Sequence, residues 1–180
     1  MNEYYKIKDD CRQRLIKHLA NACAKLPGFN NFNILDIGCG SGVPTLWLSG
    51  NFSGNITALD ADSNAIDYLQ EKINERKLQN RIRTICSTFD EFKSETGCYD
   101  FILTEGFLNV VGFEVGFEKI NNLLCKNGII VIHDEYKDHS SKLEFFDKNK
   151  FKIIDILILN EDIWWNDYYK QLESEINKIS

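Results

Sequence analysis

Six apolar blocks rich in β-branched residues punctuate the chain: "FNILDI", "NITALD", "RIRTIC", "YDFILT", "GIIVIHD" and "FKIIDILIL". Each is followed by a stretch with helical spacing, and strands that alternate with helices predict a parallel sheet covered on both faces. The helix after the second block is the plainest of these. Ala65, Ile66, Leu69 and Ile73 fall on one stripe while Asp67, Glu71, Lys72 and Glu75 take the wet side, as a surface crossover requires.

Helix starts are legible as well. Thr88 with Glu91, and Ser141 with Glu144, fit the S/T-x-x-E capping box; Asp62 and Ser63 suit a cap, and Pro44 suits a first helical position. An amphipathic segment over residues 8–26 precedes the first strand and is expected to stop at Pro27-Gly28. The fold class that follows is α/β, a doubly wound, mostly parallel sheet in a single domain over residues 1–180. Residues 1–30 read as an N-terminal helical lid segment and residues 160–180 as a C-terminal helix. Because the chain closes on that polar helix, the sheet is expected to lack its last strand, and the edge left uncovered is an expected homodimer seam.

Composition narrows the partners. At 180 residues one domain can bury a sizeable core, and a formal net charge of -6 supplies no basic field for a phosphate backbone. Nucleic acid is therefore not an expected partner. No apolar run approaches the ~20 residues of a membrane span, and "MNEYYKIKDDCRQR" has no signal-peptide core, so a cytoplasmic location without membrane contact is expected. The six cysteines form no CxxC pair and read as reduced and structural. Cys39 alone stands near candidate chemistry.

That chemistry begins at "ILDIGCGSG", residues 34–42. In an open parallel sheet a ligand sits at the carboxyl ends of the strands, and here those ends carry Asp36, Asp60, Asp62, Thr88, Glu105, His133, Asp134 and Glu135. A dinucleotide fingerprint fails twice: Asp36 stands where an apolar residue belongs, and Val43-Pro44 stands where a third small residue should close the helix onto the strand. A cationic ligand with a ribose accounts for the pattern. Asp36 meets an ammonium, the glycines let a chain lie against backbone, and Asp60 takes two ribose hydroxyls.

Together with "ALDAD", "STFDEF" and "YDFILTEG", this stretch resembles the class I SAM-dependent methyltransferases from about residue 30 to 135. The later wording "TEGFLNVVGFEVGFEKINNLLCKNGIIVIHDE" and "LNEDIWWNDYY" is similar to small-molecule methyltransferases of bacteria and archaea. The resemblance implies a Rossmann-like fold with a seven-stranded sheet, S-adenosyl-L-methionine as cofactor, and methyl transfer to a small-molecule nucleophile. It implies that Gly38 and Gly40, with Cys39 between them, face the methionine part, Asp36 its amino group and Asp60 the ribose. Ala61 would lie against adenine, Thr88 and Phe89 would border the ring, and Glu105 would close the cofactor side of the reaction centre. Two departures stand out: Ser87 or Thr88 occupies the place of an adenine-binding aspartate, and the short "KDHSSKLEFFDKNK" makes a minimal substrate lid.

Proton removal falls to His133 or Glu105 if the acceptor is an alcohol or amine. Trp164, Trp165, Tyr168 and Tyr169 form two i,i+4 aromatic pairs. One pair is expected to pack on the domain; the other, with Tyr4 and Tyr5, is expected to wall a small apolar substrate pocket. Glu105 and Asp134 resemble the acids of catechol-type metal sites, but no Asp-Asn couplet follows the fifth strand and no metal is expected. A macromolecular acceptor and a non-catalytic cofactor-binding module are the rival readings.

Overall fold

The computed structural model describes residues 2–26, 31–160 and 162–179. Two helices, α1 (Asn2–Gln13) and α2 (Ile16–Cys23), lead into β1 (Phe32–Ile37), followed by α3 (Val43–Asn51), β2 (Gly54–Asp60), α4 (Ser63–Glu75) and β3 (Ile82–Cys86). The second half runs β4 (Tyr99–Glu105), α5 (Leu108–Val111), α6 (Phe113–Leu123), β5 (Leu124–His133) and α7 (His139–Lys148), then a π-helical turn (Trp165–Tyr169) that passes directly into α8 (Lys170–Ile179). The five strands are parallel in the order β3-β2-β1-β4-β5. The order reverses between β1 and β4, and that crevice is where a doubly wound sheet places its ligand.

β1 is the central strand because it can be buried on both faces. Ile34 belongs to one core with Leu19, Leu46, Leu69 and Ile73 from α2, α3 and α4; Leu35 and Ile37 belong to the opposite core with Leu108, Ile120 and Leu123 from α5 and α6. Strand alternation thus assigns each neighbour to a different layer. Asp36 shares the parity of Ile34 and so turns toward α3. The stripe Ala65, Ile66, Leu69 and Ile73 is buried as its periodicity requires, Asp62 caps α4 through the Asn64 and Ala65 amides, and Pro44 sits in the first turn of α3. No helix among the described residues is long and apolar enough to cross a membrane.

Four expectations from sequence need correction. "FKIIDILIL" forms no strand: residues 151–160 belong to no regular element, and Ile153, Ile154, Ile156, Leu157 and Ile158 are exposed. Strand-formers become a strand only beside a partner, and the sheet ends at β5. The segment over 8–26 is two helices, broken where the Arg14 and Leu15 amides bond to the Cys11 and Arg12 carbonyls. The break separates a polar face, on α1, from the apolar face that α2 lays on the core. Thr88 and Glu91 do bond to one another, yet no helix follows, because the polar run after Phe92 offers no apolar stripe. At α7 the first residue is His139, preceded by Asp138 at φ 57°, so Ser141 lies inside the helix and caps nothing. The Pro27-Gly28 stop falls outside the described residues.

Gly42 sets how closely the strand-end loop and α4 approach. Its φ is +85°, and a Cβ there would lie 2.2 Å from Leu69 Cδ1, a side chain that is fully buried and cannot swing away. Gly42→Ala combines left-handed strain with overpacking, and urea unfolding should show a loss of about 1–3 kcal/mol; an unchanged midpoint would mean that the loop is free to move.

Candidate functional site

The carboxyl ends of β1, β2, β4 and β5 deliver four groups to one rim. Asp36, from β1, is 2% exposed and accepts a 2.6 Å hydrogen bond from Thr45 Oγ1 in the first turn of α3. Burial pushes its carboxyl up to about 7, against the pull of the Thr45 bond and with Glu105 adding to the rise. A carboxylate so placed gains from any nearby cation, because removing charge from water without a counter-charge is costly.

Asp60, from β2, is held at both oxygens: Gly40 N–H donates to Oδ2 at 2.7 Å and Asp62 N–H to Oδ1 at 2.9 Å. These two bonds fix the plane of the carboxylate, and each oxygen keeps a lone pair for a further donor. Gly38 and Gly40 adopt φ of 72° and 52°, and neither meets a neighbouring atom within 3.4 Å at the position of a Cβ. The glycine turn therefore presents bare backbone beside Asp60. Cys39 turns its side chain into the core instead, where burial drives its thiol pKa upward. A low-dielectric thiol of that kind is inert.

Glu105 ends β4 with only 9% of its side chain exposed. Arg12 Nη2, from α1, donates to Oε2 at 2.5 Å, and His133, from β5, lies 3.3 Å from Oε1 through Nδ1. Burial raises the Glu105 carboxyl, but the His133 hydrogen bond and the Arg12 charge outweigh it, so the group is held below its ordinary range and stays ionised. On the other side of the imidazole, Trp164 Nε1 lies 3.0 Å from Nε2. An indole N–H can only donate, so Nε2 accepts, and the ring proton sits on Nδ1 facing Glu105. The Arg12 guanidinium in turn stacks 5.0 Å from the Trp164 ring. Arg12, Glu105, His133 and Trp164 form one closed set that joins α1, two strand ends and the residue before the π-helical turn.

α1 roofs the rest of the rim with a polar stripe at i, i+4 and i+7. Tyr5 donates to Asp62 Oδ2 at 3.0 Å and stacks on Tyr68; Asp9 accepts from Ser41 Oγ at 2.5 Å and pairs with Lys72; Arg12 reaches Glu105. Asp9, Arg12, Thr45 and Tyr68 are not among the residues that sequence reasoning singles out, and Lys72, expected on the wet side of its helix, is instead enclosed by Asp9 and Tyr68. The signal was there in Tyr5, Asp9 and Arg12, a polar set at i, i+4 and i+7 beside buried Cys11 on the same helix.

The remaining candidates divide. Trp164 and Tyr168 pack edge to face at 5.8 Å in a cluster with Cys11 and Leu15, whereas Trp165 is exposed. Tyr5 stands at Asp62, while Tyr4 and the outward pair Trp165 and Tyr169 are exposed. Thr88 and Ala61 are exposed beside the end of β2 and β3. Phe89 is buried, edge-on to Phe107 at 5.2 Å, and serves the core as much as the rim.

The donor set fits S-adenosylmethionine on its chemistry: a buried acid at Asp36 that needs a cation, an oriented carboxylate at Asp60 suited to a diol, and bare glycine backbone between them. The methyltransferase domain family matches residues 34–128, more than half the chain. Ribosomal RNA small subunit methyltransferase G of Malacoplasma penetrans is 28% identical over 132 residues, 69% of this chain and 56% of that protein. The chain thus spans little more than half the length of that relative. Among solved structures, a SAM-dependent methyltransferase from Aquifex aeolicus superposes with a TM-score of 0.59 at 23% identity, covering 76% of this chain and 74% of that one. Coclaurine N-methyltransferase bound to N-methylheliamine and SAH gives 0.57 at 23% identity over 66% of this chain and 35% of that one. The chain belongs to the methyltransferase domain family, and its fold is that of the class I SAM-dependent methyltransferases.

Proposed function

We propose that this domain transfers a methyl group from S-adenosylmethionine to a small organic molecule through a nitrogen or oxygen that carries a proton. The observation that carries the acceptor class is enclosure. The side chains of Glu105 and His133 are only 9% and 19% exposed, roofed by Arg12 of α1 and by Trp164. A centre so covered suits a molecule that fits beneath the roof rather than a polymer laid across the rim.

In this reading Asp36 and Asp60 hold the ammonium and the ribose diol, and the glycine turn lets the methionine part lie against backbone. The cofactor supplies an activated methyl on a sulfonium, so the chain's task is alignment, exclusion of water and removal of one proton. His133 takes that proton at Nε2, and Glu105 keeps the ring oriented by accepting from Nδ1 and supports the positive charge that forms. Arg12 keeps Glu105 ionised for that role.

A ribosomal RNA acceptor is the second reading, favoured by the relative named above. The net charge of -6 works against it but does not exclude a local contact. Incubation with methyl-labelled S-adenosylmethionine and separated cell fractions decides between them: label is expected in the small organic fraction, and label confined to RNA or protein would overturn the reading.

Two further outcomes are expected. Asp60→Ala should weaken S-adenosylmethionine binding about 10–100-fold in calorimetry, the worth of two solvent-exchanged hydrogen bonds at about 1 kcal/mol each; unchanged affinity would remove Asp60 from the site. The Asp36 carboxyl is raised to about 7 from 3.8, so the folded chain retains its proton more tightly than the unfolded one. The cost of its charge is absent below the unfolded value and complete above the folded value. A cation beside it offsets that cost, and affinity should therefore rise several-fold between about pH 6 and about pH 7.5 in the wild type and stay flat in Asp36→Asn. A rise of equal size in both would assign it to another group.

A further inference from the structure

His133 has one basic lone pair, and Trp164 occupies it. Nε2 accepts from the indole N–H at 3.0 Å while Nδ1 is committed to Glu105, so both imidazole nitrogens are satisfied by the chain itself. The occupant is a flat aromatic with a single N–H. Its ring lies 5.1 Å from the His133 ring and 5.0 Å from the Arg12 guanidinium, with Tyr168 edge-on behind it at 5.8 Å. A tryptophan that only packs needs no base at its N–H, since any carbonyl or water satisfies the same donor.

The chain that leads to Trp164 is loosely held, although Trp164 itself packs with Tyr168 in the cluster with Cys11 and Leu15. Residues 152–158 are exposed and outside any regular element, with no ladder to break; Ile156 N–H bonds to its neighbour Asp155 Oδ1. On the other side begins the π-helical turn at Trp165, a widened helix of the kind found at functional positions. Lys17 holds the turn through an exposed 2.8 Å pair with Asp167, a weak tether.

We propose that Trp164 holds the place of the methyl acceptor, and that the acceptor is a flat aromatic or heteroaromatic molecule with one N–H or O–H at the position of the indole N–H. The proposal rests on the reading of His133 as the proton acceptor. The acceptor displaces the indole, stacks under Arg12 and donates to His133 Nε2. Its nitrogen or oxygen lone pair forms the new bond to the methyl carbon, the electron pair of the broken C–S bond stays on the sulfur of the sulfonium donor, and the acceptor's proton passes to Nε2. The methylated product has no proton left at that atom. Once His133 gives its proton to solvent, the indole N–H regains the lone pair and the product, now without a donor, is expelled.

Indole and 1-methylindole test the seat without any methyl donor, because they differ only in the N–H. Trp164→Phe keeps a ring and removes the competing N–H; Trp164→Gly opens the whole seat. Indole should bind Trp164→Phe about tenfold more tightly than it binds the wild type, and Trp164→Gly should prefer indole to 1-methylindole by about tenfold, the worth of one hydrogen bond. Adding His133→Phe to Trp164→Gly should abolish the preference while both ligands still bind. In ¹⁵N spectra of the wild type, Nε2 of His133 should be the unprotonated nitrogen, and its signal should shift on indole binding. Equal binding of the two probes to Trp164→Gly, or no gain of indole affinity in Trp164→Phe, would overturn the proposal; where Trp164→Gly does not fold, Trp164→Phe decides alone. A protein that passes these binding tests yet labels no small molecule would refute the methyl-transfer reading and not the seat.

Discussion

Glu105 is an ionised carboxylate with 9% of its side chain in contact with solvent, and the arrangement of the whole rim follows from what that requires. A buried charge left without partners is costly, and breaking a buried pair costs about 3–5 kcal/mol. Glu105 therefore needs donors at both oxygens, and they come from opposite directions: Arg12 from α1 and His133 from the neighbouring strand. His133, once turned to face Glu105, exposes its other nitrogen to Trp164. One buried acid thus anchors the helix at the start of the chain, the two strands beside the sheet's reversal point, and the residue that opens the last helical stretch.

The other two acids are treated differently by their surroundings. Asp36 is raised by burial and has a neutral hydroxyl as its hydrogen-bond donor, whereas Asp60 is partly exposed and oriented by backbone amides. Three carboxylates at neighbouring strand ends make a field that favours a cation and repels phosphate. The glycine turn, which in a phosphate-binding loop would cradle an anion, is here embedded in negative charge. That contrast links the sequence pattern to a sulfonium-bearing cofactor.

Much of this was legible in the residues. Asp36, the glycines and Asp60 are close in sequence and positioned by one strand–turn–helix unit and the strand beside it, so local spacing reveals their relation. Arg12 was not legible, since its partner is Glu105 and nothing local marks a pair so far apart. "FKIIDILIL" misled for a related reason: propensity is local, while a ladder depends on a distant neighbour. The aromatic run was legible in part: four-residue spacing pairs Trp164 with Tyr168, and that pair packs on the domain while Trp165 and Tyr169 face solvent.

Hydrogen exchange on Glu105→Gln tests most directly whether this one carboxylate secures both ends of the chain. Removing its charge should weaken the hold on Arg12 and on His133 together. Exchange should then quicken in α1 and across the stretch from Trp165 into α8, while β1 and β2, secured by the two cores, keep the protection of the wild type. Unchanged exchange at both ends would contradict the account, as would a change spread evenly through the sheet.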